Sequence, residues 1–193
     1  MSFKTTNDKI DADLSAYSSN FGVKNKVYRL LWMLSCFFFF KPFTGQPFKK
    51  WRNVVLRIFG ASVHATAHIY ASVKIWSPKN LQIGAHSTLG PKVDCYNQGS
   101  ITIGANTIIS QKAYLCASTH DFTKPDFPLI CQPITIGDSV WVAADAFIGP
   151  GVVIQDGAVV GARASVFKQV DSWTVVGGNP AQFIKKRVIK TNE

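Results

Sequence analysis

The residues best suited to chemistry lie in one irregular stretch, "CASTHDFTKPDFPLI" (116–130), where His120 is followed by Asp121, Lys124, Asp126 and Phe127. A neutral imidazole, with an ordinary pKa of about 6.5, can take a proton from an attacking hydroxyl at physiological pH. Positioned general-base catalysis contributes roughly 10²–10⁴-fold to a rate. A base needs a group that orients it. Asp94 and Asn97 in "VDCYNQG" are the candidates. A carboxylate could hold the imidazole tautomer, and an amide could bind a substrate hydroxyl. Both residue types also serve turns by bonding their own backbone. His120, Asp94 and Asn97 form the expected catalytic group, with Asp121, Lys124, Asp126 and Phe127 the expected substrate contacts.

What must position these groups is a repeat. Ile136, Val142, Ile148, Ile154, Val160 and Val166 are six apart, and Val140, Ala146, Val152, Ala158, Ala164 and Val170 follow each by four. Ile103, Ile109 and Leu115 keep the same step. A longer period lies over it. Val63, Ile83 and Ile103 are twenty apart, and Ile136, Ile154 and Ser172 are eighteen apart. Three hexads make one turn of a triangular coil with short parallel strands as sides. The large aliphatics point inward, and Gly, Asn and Asp are expected at the tight turns. Stacked coils bury one continuous apolar column. The predicted class is all-β.

The rhythm breaks after Leu115. A further hexad would point Asp121 into the column, which an apolar interior does not accept unpaired. Ile103 and Ile136 are 33 apart, so about fifteen residues are extra. A loop of that length in a compact domain is usually functional.

The chain has 193 residues and a formal charge of +10. Residues 1–60 hold ten Lys/Arg against three Asp, residues 61–184 are neutral, and the tail from Lys185 holds four bases and one acid. Three regions result. Residues 1–60 are a basic, partly helical cap with an apolar segment. Residues 61–181 are the coil domain with an inserted loop at 120–133. Residues 182–193 are a basic tail, expected to pack as a short helix over the open end. Basic ends favour anionic partners, and no nucleic-acid reading motif accompanies them, so nucleic acid is not an expected partner. "LLWMLSCFFFF" (30–40) is about 16 Å long as a helix, too short to cross a hydrocarbon core of about 30 Å. It could lie in an anionic membrane surface or pack against protein. Cys36, Cys95, Cys116 and Cys131 show no C-x-x-C spacing and read as buried, reduced thiols. The first 20 residues are polar and do not resemble a secretory signal. The expected place is the cytoplasm, with peripheral contact on the inner membrane face through residues 20–60.

The hexads resemble those of the hexapeptide-repeat acyltransferases. "YRLLW", "GPKVDCYN", "THDF" followed by "PDFPLI", "PITIGDSVWVAADAFIGPGV" and "GNPA" are similar to the acetyltransferases of polysaccharide biosynthesis of the colanic-acid type, over about residues 20–187. The resemblance implies a left-handed parallel β-helix, an N-terminal helical segment and a homotrimer with acetyl-CoA between adjacent coil columns. It implies O-acetylation of a saccharide hydroxyl in surface-glycan assembly, with His120 as base and no acyl-enzyme. The saccharide acceptor could be lipid-linked. Trp141 would flank the thioester, Ala144 and Ala162 would present backbone to the pantetheine arm, and Lys168, Lys185, Lys186 and Arg187 would meet the phosphates. Phe167 stands where relatives often carry Thr, so that phosphate contact departs from the pattern. No metal is implied. His64, His68 and His86 do not line up from coil to coil, which disfavours an intersubunit zinc site. The alternatives are N-acetylation of an amino-sugar nucleotide and a non-catalytic, membrane-associated scaffold of the same fold.

Overall fold

A computed structural model of the chain describes residues 12, 14–16 and 21–190. The Asp-containing start of the expected cap (Asp8, Asp11, Asp13) and the last three residues lie outside them.

Five coils follow one another. The first comprises β1 (Ser62–Val63), β2 (His68–Ile69) and β3 (Lys74–Ile75). The second comprises β4 (Leu81–Ile83), β5 (Thr88–Leu89) and β6 (Asp94–Tyr96). The third comprises β7 (Ile101–Ile103), β8 (Ile108–Ile109) and β9 (Tyr114–Cys116). A hairpin of β10 (Ser118–His120) and β11 (Leu129–Cys131) then intervenes. The fourth coil comprises β12 (Ile134–Ile136), β13 (Trp141–Val142) and β14 (Phe147–Ile148). The fifth comprises β15 (Val153–Ile154), β16 (Val159–Val160) and β17 (Ser165–Val166). Finally β18 (Thr174–Gly177) pairs with β19 (Gln182–Lys186).

Corresponding strands stack in parallel into three sheets, one per side of a prism. Side one holds β1, β4, β7, β12 and β15; side two holds β2, β5, β8, β13, β16 and β18; side three holds β3, β6, β9, β14 and β17. Val63, Ile83, Ile103, Ile136 and Ile154 stand in register on side one. The inward aliphatics of every side are buried, and Cys95 takes one of their places. Burial pushes its thiol pKa up. Cys131 is exposed, against the expectation of buried thiols, because β11 belongs to the hairpin and not to the column.

The turns explain the six-residue step. At most of the six-residue turns the third residue after the inward aliphatic takes a left-handed backbone, as in His86, Lys92, Asn106, Lys112, Ser139, Asp145 and Arg163, with φ between 54° and 60°. Such a conformation costs a non-glycine residue roughly 1–2 kcal/mol. Its N–H is thereby aimed at the coil before: Asn106 N donates to Ala85 O at 2.8 Å and Ser139 N to Ala105 O at 2.8 Å. The turns thus use His, Lys and Arg as readily as the expected Gly and Asn. The "IG" glycines are different. A Cβ on Gly84 would lie 2.6 Å from the carbonyl carbon of Gly104, so the stacked backbones leave no room there.

The last coil departs from the expected step. Val170, not Ser172, bridges Ile154, and β18 stacks on β16 after sixteen residues (Val159 opposite Val175). The tail is not a helix. β19 runs antiparallel to β18, because the last coil presents an open backbone edge that a strand satisfies and a helix does not.

The opposite end is closed by α1 (Val23–Ser35), a π-helical turn (Cys36–Phe40) and α2 (Lys49–Ile58). Within the stack each coil donates to carbonyls of the next, as in His64 N to Ile83 O. The first coil's own carbonyls therefore have no coil to serve, and side chains replace it. Arg57 donates to Val63 O, Asn53 to Ala67 O at 2.9 Å, Arg52 to Ile69 O at 2.8 Å and Trp32 to Ile75 O at 2.8 Å. Arg52 is 1% exposed and also serves Phe43 O at 2.7 Å and Gly45 O at 3.1 Å. Arg52→Met is expected to lower unfolding free energy by roughly 2–4 kcal/mol in denaturant melts, since buried carbonyls lose a charged donor. Lys50→Met, on the exposed face of the same helix, should change it by less than about 0.5 kcal/mol. Equal effects would contradict the capping account.

Candidate active site

The hairpin that carries His120 erupts where side three turns into side one. That corner is already enlarged in the first two coils. Ile75 to Ile83 and Cys95 to Ile103 span eight residues where the other inward steps span six. Asn97 builds it. Its side chain is fully buried; Oδ1 accepts from Trp76 N and Ser77 N, both at 3.0 Å, and Nδ2 donates to Ser77 O at 2.6 Å. Asn97 is thus a corner clamp between coils, not the substrate-binding amide expected from sequence. Its hydrogen-bonding capacity is spent on backbone.

From that platform β10 and β11 pair antiparallel, with His120 opposite Leu129 at the outer end. Asp121 N donates to Pro128 O at 2.9 Å, so the tip closes directly beyond the histidine. Lys124 N donates to Asp121 O at 3.3 Å and Phe127 N to Lys124 O at 3.2 Å. Phe127 has φ 42°, a left-handed backbone. The turn brings the Phe127 carbonyl oxygen to 2.6 Å from His120 Nδ1. A carbonyl oxygen only accepts, so Nδ1 must carry the hydrogen and Nε2 the lone pair of the neutral ring. The orienting group is therefore a backbone carbonyl of the loop itself. Asp94 is engaged elsewhere: from β6 it meets Lys74 of β3 at 3.3 Å, across adjacent coils.

The other expected substrate contacts divide. Asp121 is a structural carboxylate: its Oδ1 accepts from Thr123 Oγ1 at 2.5 Å and from Thr123 N at 3.1 Å, and Oδ2 lies 3.9 Å from Lys124 Nζ. Lys124 is exposed, and Asp126 and Phe127 are half-buried on the same tip. Asp121, Lys124, Asp126 and Phe127 thus all lie on the tip that follows His120, and of these the Phe127 carbonyl meets the imidazole.

The expected donor-binding residues lie on other edges of the prism. Trp141 stands on the outer face of side two, 48% exposed, its Nε1 donating to Ser110 Oγ at 3.0 Å. Ala144 and Ala162 sit one above the other at the turns from side two to side three, tied by Arg163 N to Ala144 O at 2.9 Å. Lys168 lines a cavity of about 290 Å³ at the far end of the stack, with Phe167, Thr174 and Phe183. Lys185 and Lys186 are exposed on β19. Arg187 is not available as a phosphate ligand in the expected way. It donates to Ser139 O at 2.7 Å and Gly157 O at 2.8 Å and closes the last turns. One chain therefore does not bring His120 and the Trp141–Ala162 strip together.

A feature missed from sequence is a column of rings on side three: Tyr96, Tyr114, Phe147 and Phe167, with successive centroids 6.2, 5.5 and 5.6 Å apart. Its signal was present, since Tyr114 and Phe147 each precede an inward residue on stacked strands. Among the described residues no group of three or more His, Cys, Asp or Glu is placed to hold a metal. His64 bonds Thr66, and His68 stacks on Tyr70 at 4.6 Å.

Parallel triangular coils with an excursion bearing a histidine define a hexapeptide-repeat transferase, and comparisons agree. Residues 133–168 match the family model for bacterial transferase hexapeptide (six repeats). A hexapeptide-repeat acetyltransferase of Vibrio cholerae, solved with acetyl coenzyme A, superposes with a TM-score of 0.78 at 22% identity, over 90% of this chain and 94% of that one. The fold is the left-handed parallel β-helix of these enzymes. A putative colanic acid biosynthesis acetyltransferase of Escherichia coli strain K12 is 42% identical over 91% of this chain and 97% of its own. The galactoside O-acetyltransferase of the same organism is 27% identical over 70% of this chain and 68% of its own. The chain belongs to the colanic-acid-type family of hexapeptide-repeat acetyltransferases. It is an acyltransferase that uses acetyl-CoA.

The Asp121 tie offers a direct test of the tip. Hydrogen bonds from Thr123, the side chain first, hold its carboxyl below the ordinary 3.8. With the folded pKa depressed, the tie is present above 3.8 and lost as pH falls through the lower folded value. Thr123→Val should move the Asp121 titration up toward 3.8 in carbon-detected NMR. An unmoved midpoint would contradict the assignment.

Proposed function

We propose that the protein transfers acetyl from acetyl-CoA directly to a saccharide hydroxyl in surface-glycan assembly, with His120 as general base. The observation that carries this is the 2.6 Å contact between His120 Nδ1 and the Phe127 carbonyl, which makes Nε2 the basic nitrogen. The acceptor hydroxyl loses its proton to Nε2 as its oxygen attacks the thioester carbonyl. The carbon–sulfur bond then breaks, and the imidazolium returns the proton to the departing thiolate. Lys124, Asp126 and Phe127 would contact the saccharide. The printed names of the relatives, a colanic acid biosynthesis acetyltransferase and a galactoside O-acetyltransferase, support an oxygen acceptor on a sugar.

The working form is a homotrimer. Side one shows polar residues outward along most of its length, with Ser62, Gln82, Thr102 and Thr135. Side two shows His68 and Thr88 and then Ile108, Trp141 and Val159, and side three shows Tyr114 and Phe147 between the polar Lys74 and Asp94 and Ser165. Apolar stretches on two adjacent sides suit two neighbours. That arrangement would set His120 of one subunit against the Trp141, Ala144 and Ala162 strip of the next, with Lys168 and Lys185 near the coenzyme phosphates. Residues 20–60 would keep the enzyme peripherally on the inner membrane face, within reach of a lipid-linked acceptor. No described helix is long and apolar enough to cross a membrane.

His120→Ala should lower acetyl transfer to the saccharide by at least about a hundredfold, with CoA affinity in calorimetry nearly unchanged. Unaltered turnover would remove His120 from the mechanism. Faster transfer to matched amino sugars than to hydroxyl sugars would overturn the choice of oxygen acceptor.

A further inference from the structure

The N-terminal cap presents two features that its capping role does not use. The first is a cavity of about 450 Å³ between α1 and the first coil, lined by Arg29, Met33, Phe37, Lys41, Lys74 and Trp76. The Arg29 guanidinium carbon lies over the Trp76 ring, 3.9 Å from its centroid. That contact holds a cation with five N–H donors in the lining of the cavity. None of the three ion pairs among the described residues includes Arg29 or Lys41. Lys74 is shared with Asp94, in an exposed pair.

The second feature is what surrounds that cavity. Leu30, Met33 and Phe37 line it and are each more than half exposed. Leu31, Leu34, Phe38 and Phe39 extend the apolar surface along α1 and the π-helical turn. Between Asp13 and Asp94 the chain contains no acidic residue and eleven Lys or Arg. Exposed apolar side chains fringed by one sign of charge, with a cation-lined recess among them, fit an amphiphile with an anionic head. A second copy of the same face would set cation against cation.

We propose that this recess binds the phosphate headgroup of an anionic phospholipid and so seats the cap on a lipid leaflet. Arg29 and Lys41 meet the phosphate oxygens, and Phe37, Phe38 and Leu34 enter the acyl boundary. The proposal rests on the peripheral contact placed at residues 20–60 above and names its chemistry. It does not depend on the identity of the acceptor.

The test is sedimentation of the full-length protein with vesicles of pure phosphatidylcholine and with vesicles containing about 30 mol% phosphatidylglycerol. Partition should be at least about tenfold stronger onto the anionic vesicles, and should weaken as salt shortens the Debye length. Arg29→Glu with Lys41→Glu should cut anionic partition by about thirtyfold or more. Phe37→Ser with Phe38→Ser should cut it as well, while both variants keep acetyl transfer to a soluble acceptor and the wild-type mass in light scattering. Equal binding to both vesicle types, or anionic binding insensitive to Arg29 and Lys41, would overturn the headgroup site but leave peripheral contact standing. Binding to neither would overturn both. A concentration-dependent doubling of mass in vesicle-free solution, abolished by the Phe variant, would assign the face to a second copy and overturn the proposal.

Discussion

The register between coils is the constraint from which everything else follows. Each inward aliphatic must stand under the next, as Ile83, Ile103, Ile136 and Ile154 do, or the column loses its contacts and the parallel ladders lose their partners together. A one-residue slip would turn the whole inward set to solvent. The turns are built to prevent it. Left-handed residues such as Ser139 accept a local conformational cost because their N–H groups then lock onto the coil before. Buried hydroxyls help: Thr107 donates to Gly137 O at 2.7 Å and accepts from Val140 N at 3.1 Å, pinning the turns across the hairpin insertion.

A stack so regular has no natural place for a reactive group, and its two ends and one corner supply the exceptions. The ends must satisfy exposed edges. The first coil does so with Arg52, Asn53, Arg57 and Trp32, and the last does so with β19. The enlarged corner held by Asn97 lets the third coil release a hairpin without disturbing the column. Ala117, fully buried at its base, receives Gln132 N on its carbonyl at 3.0 Å and returns the chain to β12. His120 is thus four residues beyond the end of β9, past Ala117, Ser118 and Thr119, and yet outside the core. Its orientation comes from the closure of the same loop on Phe127, so one turn both positions the imidazole and selects its basic nitrogen.

The coil class was legible because hydrophobic period survives any surface substitution: Ile136 through Val166 mark it without a break. The insertion was legible as a failure of that period at Asp121. What could not be read was the partner of each polar side chain. Asp94 and Asn97 look alike as turn residues, yet coil stacking sends one to Lys74 and the other into a buried clamp. The partner of His120 is a backbone carbonyl, which carries no residue identity and leaves no mark in sequence. The tail misled for a related reason. Its composition suits a short helix, but the open edge of β18 decides for a strand. Arg187, expected at phosphates, is drawn to the turn carbonyls of Ser139 and Gly157 that the end of the stack leaves bare.

The proposed role of His120 therefore depends on which of its imidazole nitrogens is basic. Nitrogen NMR of imidazole-labelled protein, at a pH where the ring is neutral and with the resonance assigned by its loss in His120→Gln, reads this directly. A protonated Nδ1 with a pyridine-like Nε2 is the result predicted. A ring with its hydrogen on Nε2 would contradict it, because the Phe127 carbonyl would then face a lone pair and the nitrogen proposed to accept the proton would already hold one.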